Sequence, residues 1–351
     1  ELRAKIDAIA VATLTAQLQK RGVQNATIDG PRPIHRGRRV LGYAKTLRYI
    51  PKREDLAKEF GVKNVAVVEK GWLGGGNTAR NTTIIRSNYL LPGNEPFYEF
   101  SMKLWEGLEQ EFNFNAMVSQ RGILNLIHSD GQRDAYRRRG NAMLLAGADA
   151  ELLDREGVRA MYPWLNFDNA RFPIQGGLLQ QRGGTVRHDG VAWGYARGAD
   201  RRGVDIIQNC EVKGIRREGG KVVGVDTTMG YIRAGKVGIV AAGHSSVVAG
   251  MADLRLPVES HPLQALVSEP IKPVLDTVVM ANTVHGYISQ SDKGELVIGA
   301  GTDQYPSYSQ TGGIHQLSHA LEAIVELFPI FARAHVLRTW GGIVDVTADA
   351  S

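Results

Sequence analysis

The residues best placed to do chemistry run from Val65 to Arg86. An apolar run, Val65-Ala66-Val67-Val68, ends in an acid, Glu69, followed by Lys70. The run reads as a fully buried strand of a parallel sheet. An acid at the carboxyl end of such a strand can accept a hydrogen bond from a ribose hydroxyl of a dinucleotide. Gly74, Gly75 and Gly76 let the backbone approach a phosphate or a flat ring, and Asn77 and Thr78 can cap a following helix. Arg86 closes the stretch with a guanidinium that can fork onto a carboxylate. Each part has a plain reading alone: a strand ending in Glu, a flexible glycine turn, a surface arginine. Their order is much more specific than the parts.

A second landmark is Gly183-Gly184-Thr185-Val186-Arg187-His188-Asp189-Gly190. A helix follows, with Val191, Ala192, Tyr195, Ala196 and Ala199 on its apolar side and Asp189 as its cap. A histidine at a helix start is by itself an ordinary polar surface residue. Tyr287 stands in a strand pattern, where it either packs the sheet or points at a substrate. His315 and His319 are four apart, a metal-ligand spacing on a helix, but no third ligand accompanies them, so no metal site is expected. One cysteine, Cys210, excludes an internal disulfide and a cysteine cluster for zinc, and it reads as a core thiol.

These residues need a scaffold, and 351 residues with 43% hydrophobic and 22% charged content allow two domains with real cores. The net charge of +6 is spread over short runs such as Arg137–Arg139 that read as solvated faces, without the aromatic interleaving of a nucleic-acid binder. No stretch reaches the ~18 apolar residues of a membrane span. The first residues carry Glu1, Lys5 and Asp7 and do not form a signal peptide, so a cytoplasmic location is expected. The chain begins without Met, which suggests a start inside a longer product.

Helices are expected over 1–21, 95–112, 131–145, 149–161 and 316–328. The stripe Phe97, Phe100, Leu104, Leu108 and Phe112 reads as core packing. Strands are expected over 26–28, 40–51, 120–126, 204–207, 211–215, 285–290 and 295–301, with a hairpin over 221–226 and 230–233. Residues 236–246 repeat the order strand, glycine, helix. Trp340–Asp349 returns toward the first landmark.

From about Leu56 onward the chain resembles the flavin-dependent amine and amino-acid oxidases, most nearly the beta subunits of heterotetrameric sarcosine oxidases. The match is carried by the acid-tipped strand, the glycines, Asn77-Thr78 and Arg86, and by the segment around His188. The resemblance implies an α/β fold (α+β overall): an FAD/NAD(P)-binding Rossmann-like domain interleaved with an antiparallel-sheet substrate domain. The expected division is 57–116, 186–255 and 338–351 for FAD and 117–185 and 256–337 for substrate. It implies non-covalent FAD on Glu69, Lys70, Gly75, Gly76, Asn77, Thr78, Val212, Ala242 and Gly243, the last three through backbone. It implies a covalent flavin mononucleotide, FMN, on His188. Arg86 would hold the carboxylate of a small amine substrate, and Tyr287 would face that substrate. Sarcosine, dimethylglycine and glycine share this grip. The implied partners are alpha, gamma and delta subunits, with neither nucleic acid nor membrane involved.

The first ~55 residues differ. Ala12–Leu18, Gly42–Tyr49 and Pro51–Leu56 resemble the regulator of ribonuclease activity A family, which includes metal-dependent oxo-acid aldolases. Residues 1–55 offer no Gly-x-Gly-x-x-Gly loop, and the family's later lysine segment does not follow Ala350-Ser351. The sequence therefore reads as a junction of two families near Leu56 whose flavoprotein part has neither its first βα unit nor its C-terminal segment. Two other functions stay open: a catalytically incompetent hybrid, and an RNA-turnover regulator or oxo-acid aldolase.

Overall fold

A computed structural model describes residues 64–89 and 94–347. The elements expected within residues 1–63, the junction near Leu56 and the residues after Thr347 lie outside the described residues.

β1 (Ala66–Val68) and β2 (Ile84–Ile85) flank a 3₁₀ turn, Asn77–Arg80. Then come α1 (Glu95–Phe112), β3 (Ile123–Ile127), α2 (Asp130–Leu145), β4 (Glu151–Asp154) and α3 (Arg155–Met161). β5 (Gly176–Gln180) and β6 (Gly184–Thr185) lead into α4 (His188–Asp200). β7 (Asp205–Ile207), β8 (Val212–Glu218), β9 (Lys221–Thr227) and β10 (Gly230–Arg233) precede α5 (Ser245–Gly250). The rest is β11 (Val258–Pro270), β12 (Val278–Ala281), β13 (Gly286–Gln290), β14 (Glu295–Thr302), α6 (Ile314–Leu327) and β15 (Val336–Thr347).

The largest layer is a mixed eight-stranded sheet ordered β15-β11-β14-β13-β12-β3-β5-β4. One face is covered by α6, whose Leu317, Ala320, Ile324 and Leu327 pack on Leu124, Val279, Ile288 and Ile298. Alternation along β3 sends Ile127 to the opposite face, where it meets Tyr136 and Met143 of α2. Each fully buried Leu, Ile or Phe here contributes about 1.5–3 kcal/mol. The second region is smaller. β1 pairs in parallel with β7, β8–β10 form an antiparallel meander, and β2 pairs with β6.

The structure departs from the expected pattern in instructive places. β1 is not fully buried: Ala66 is exposed and Val67 and Val68 are half-buried, because β7 is its one described strand partner. Residues 237–241 form no strand, and Val240 is 67% exposed; no described strand lies beside them to complete a ladder. The helix expected over 149–161 splits. Glu151–Asp154 pairs with the edge of β5, and the Asp154 carboxylate accepts from the Gly157 N–H at 2.8 Å to start α3. In α1 the buried face is Glu99, Met102, Leu108 and Phe112, while Phe97 and Phe100 are exposed. The other expected helices and strands form with shifted ends, and Cys210 is buried as read. Among the described residues no helix is long and apolar enough to cross a membrane.

Candidate active site

β2 delivers Arg86. Ile84 and Ile85 pair with Thr185 and Gly184, which fixes the chain before Arg86 against the lead-in to α4. Gly184 is required there, since a Cβ would lie 1.9 Å from the Ser119 carbonyl oxygen. Beyond Arg86, Ser87 is locked by buried polar groups. Its hydroxyl donates to Glu99 Oε2 at 2.9 Å, and its N–H donates to Gln180 Oε1 at 3.0 Å. The other oxygen of Glu99 pairs with Arg182 Nη1 at 2.7 Å. The helical stripe of α1 is thus interrupted by an acid that anchors the loop carrying Arg86.

The opposite wall is the sheet. Met280 of β12 and Tyr287 of β13 are directly opposite each other, so both leave the same face. Tyr287 also faces Gly299 of β14, where a Cβ would lie 1.8 Å from the ring. The absent side chain lets the ring lie flat. The Thr82 hydroxyl donates to the Tyr287 oxygen at 3.2 Å, and burial pushes this phenol up. Together the walls enclose a cavity of about 540 Å³, lined by Arg86, Tyr287, His188, Thr82, Trp105 and Met280 among others.

Arg86 Nη1 donates to Asn88 Oδ1 at 2.9 Å, and its guanidinium lies 4.8 Å from the Tyr89 ring centre. Among the described residues no carboxylate pairs with it. His188 is the first residue of α4, and its Nδ1 is buried without a partner. Burial pulls this imidazole below its ordinary range. Asp189 is not the helix cap, as Arg187 holds that position. The Asp189 carboxylate bonds the Arg187 guanidinium instead, which lowers it to about 2.

The other residues singled out in the sequence form two groups. The turn over Gly74–Arg80 is clamped by Arg80 Nη1, which donates to the Gly75 and Gly76 carbonyls at 2.6 and 2.8 Å. Asn77 does not cap a helix. Its Oδ1 accepts from the Ile343 N–H at 2.9 Å and its amide donates to the Ile343 carbonyl, tying the turn to β15. Ile343 presses in turn on Gly243, where a Cβ would lie 2.2 Å from it. Ala242 and Gly243 stand in a short 3₁₀ turn leading into α5. Thr78 lines the cavity, and space is open above Gly76. A Cβ on Gly75 would strike the Trp72 ring at 2.6 Å.

On the other side, Glu69 lies beside the segment leading to Val212: its carbonyl accepts from the Cys210 N–H at 2.8 Å, and Lys70 pairs with Glu211 at 3.0 Å. The Glu69 carboxylate accepts from the Gly71 N–H at 2.9 Å and so shapes its own loop. His315 and His319 lie on α6, and no group of three or more possible metal ligands occurs among the described residues. Sequence reasoning missed Gly184, Glu99 and Gly299. The signal for Gly299 was a glycine inside the run Leu296-Val297-Ile298-Gly299-Ala300.

A parallel strand ending in an acid, a glycine turn tied to the last strand, and a cavity roofed on a mixed sheet form a flavoprotein arrangement. The model of the FAD dependent oxidoreductase family matches residues 54–351. The chain belongs to that family. Sarcosine oxidase subunit beta of Rhizobium meliloti (strain 1021) is 68% identical over 296 residues, 84% of this chain and 71% of that protein. Sarcosine oxidase subunit beta of Rhodobacter capsulatus is 55% identical over 84% of this chain and 72% of that protein. L-proline dehydrogenase from P. horikoshii superimposes with a TM-score of 0.76 at 25% identity, over 84% of this chain and 78% of that one. Glycine oxidase from Geobacillus kaustophilus shares the fold, with a TM-score of 0.72 over 82% and 78% of the two chains. This oxidoreductase is therefore a mixed α/β protein with a Rossmann-like FAD-binding fold, and it acts on amines with FAD.

Proposed function

We propose that this chain oxidises sarcosine as the beta subunit of a heterotetrameric oxidase, alongside alpha, gamma and delta subunits in the cytoplasm. The observation that carries the reading is the convergence of Arg86, Tyr287 and His188 on one cavity. Arg86 binds the substrate carboxylate, for which it is free of competing carboxylates among the described residues. Its stack on Tyr89 and its bond to Asn88 fix the plane of the fork. Tyr287, oriented by Thr82, faces the bound amine from the sheet floor. Holding the carboxylate at Arg86 turns a chance encounter into a fixed approach of the N-methyl carbon.

A bound flavin would supply the hydride acceptor for oxidation of that N-methyl carbon, with the substrate carboxylate held by Arg86. The chain fits such a group. The space above Gly76 and the close packing of Gly243 on Ile343 suit a dinucleotide approached through backbone, with Glu69, Lys70, Asn77, Thr78, Val212 and Ala242 around it. Residues 57–116, 186–255 and 338–351 would form this FAD-binding part, and 117–185 and 256–337 the substrate part. His188 would hold the covalent FMN: its buried Nδ1 is unpartnered, and burial keeps the ring neutral and so nucleophilic.

Mass spectrometry of acid-denatured protein tests the FMN assignment, with the adduct expected on the peptide holding His188. Anaerobic mixing with sarcosine should bleach the flavin. A protein that carries flavin yet keeps its colour with sarcosine would overturn the substrate assignment.

A further inference from the structure

A set of hydrogen-bond donors beside Arg86 goes unused in the reading above, and most of it shares one sheet face. Asn125 of β3 is directly opposite Met280 of β12 and Leu178 of β5, so the three side chains leave the same face. Met280 lines the cavity that holds Arg86. The Asn125 amide nitrogen is buried with no partner, and the residue is 1% exposed. Asn88 is also 1% exposed; its oxygen is taken by Arg86, while its amide nitrogen is buried with no partner. One orphaned amide donor beside Arg86 and another on the sheet face that carries Met280 call for an acceptor-rich occupant.

A second cation stands there too. α2 packs on this face through Tyr136, and the Tyr136 hydroxyl accepts from Asn282 at 3.2 Å just past β12. Arg139, one turn along α2, places its guanidinium 5.0 Å from the Tyr136 ring centre. It is half-buried, and among the described residues it has no carboxylate partner. Burial pulls Arg139 below its ordinary range, and the Arg86 charge pulls it further. Arg86 lies over Tyr89 and Arg139 over Tyr136, their charges act on each other, and among the described residues neither forms an ion pair, so a bound anion would stabilise both. A single carboxylate on Arg86 leaves Arg139 and Asn125 unanswered.

We infer that this recess is a second carboxylate-binding subsite, in which Arg139 and Asn125 grip the second acid group of a small amino dicarboxylate whose first acid group sits on Arg86. The inference rests on Arg86 taking the substrate carboxylate. The subsite makes this oxidoreductase a binder of diacids as well as of monoacids, and inhibition by small dicarboxylates follows from it.

Calorimetric titration of the intact protein tests it with two unreactive ethers: methoxyacetate, with one carboxylate, and oxydiacetate, with two. Oxydiacetate should bind the unaltered protein more tightly. Arg139→Met should weaken oxydiacetate about tenfold and leave methoxyacetate within about twofold. Arg139→Lys should recover part of the loss. Asn125→Leu, which keeps the charge and fills the same space, should also weaken oxydiacetate selectively, with thermal melting showing that each variant folds. Equal binding of the two ethers, or selective loss in neither variant, would overturn the subsite while leaving Arg86 in place. Methoxyacetate binding that survives Arg86→Met would instead overturn the carboxylate role of Arg86, and the subsite with it.

Discussion

Two regions of this oxidoreductase, the eight-stranded sheet and the β1–β7 pair with its glycine turn, are held in different ways. The eight-stranded sheet buries whole side chains: Leu124, Ile288 and Phe328 are each fully enclosed. Tyr287, which lines the cavity, projects from that rigid floor. The β1–β7 side is thin and half-exposed, and its glycine turn is held by directed bonds from Arg80, Asn77 and Trp340. Packing fixes the sheet wall of the cavity, whereas hydrogen bonds fix the glycine turn. The first kind of support tolerates little loss of volume, and the second tolerates little loss of a single donor or acceptor.

The largest expected effect lies in the packed region. Phe328→Ala should destabilise by about 3–5 kcal/mol, read by chemical denaturation, while Val67→Ala in β1 should cost under about 1.5 kcal/mol. Equal losses at the two would erase the contrast. Next comes the buried ion pair behind Arg86. Glu99→Gln removes one of the two carboxylates on Arg182, which keeps Glu106, and weakens the hold on Ser87; it should cost about 1–3 kcal/mol of stability together with weaker carboxylate binding.

The smaller effects sharpen the comparison. Asn77→Ala removes both bonds to Ile343 and should cost about 1–2 kcal/mol; flavin affinity should fall more than substrate affinity in equilibrium titrations. The weakest effect is alkaline. Tyr89 is pushed from 10.0 up to about 12, chiefly by burial. Its neutral form therefore adds stability that is complete below pH 10 and is lost as pH rises through about 12. Tyr89→Phe should flatten that part of the melting profile.

The sequence made the fold's elements visible wherever side chains set them. The period-3.6 pattern of 95–112 and the paired strands around Ser291–Gly294 survive in the structure because local spacing decides them. It failed where long-range partners decide. The apolar run at 237–241 has strand chemistry but no described neighbour, and Glu151–Asp154 turned from helix to strand because β5 offered it an edge. Of the cavity lining, Arg86, His188 and Tyr287 were singled out by type and resemblance. Glu99 and Gly299 were not, since their roles depend on what lies across the fold: an arginine 83 residues away in one case and a tyrosine ring in the other. Arg139 read as part of a solvated run, and only the packing of α2 brings it toward Arg86.

The most direct test of the account is the rate at which sarcosine reduces the bound flavin in a single anaerobic turnover, compared between the unaltered protein and Arg86→Met at equal flavin content. Loss of the carboxylate fork should slow reduction about a hundredfold or more at subsaturating substrate. An unchanged rate would contradict the claim that Arg86 and the flavin act on one substrate in this cavity.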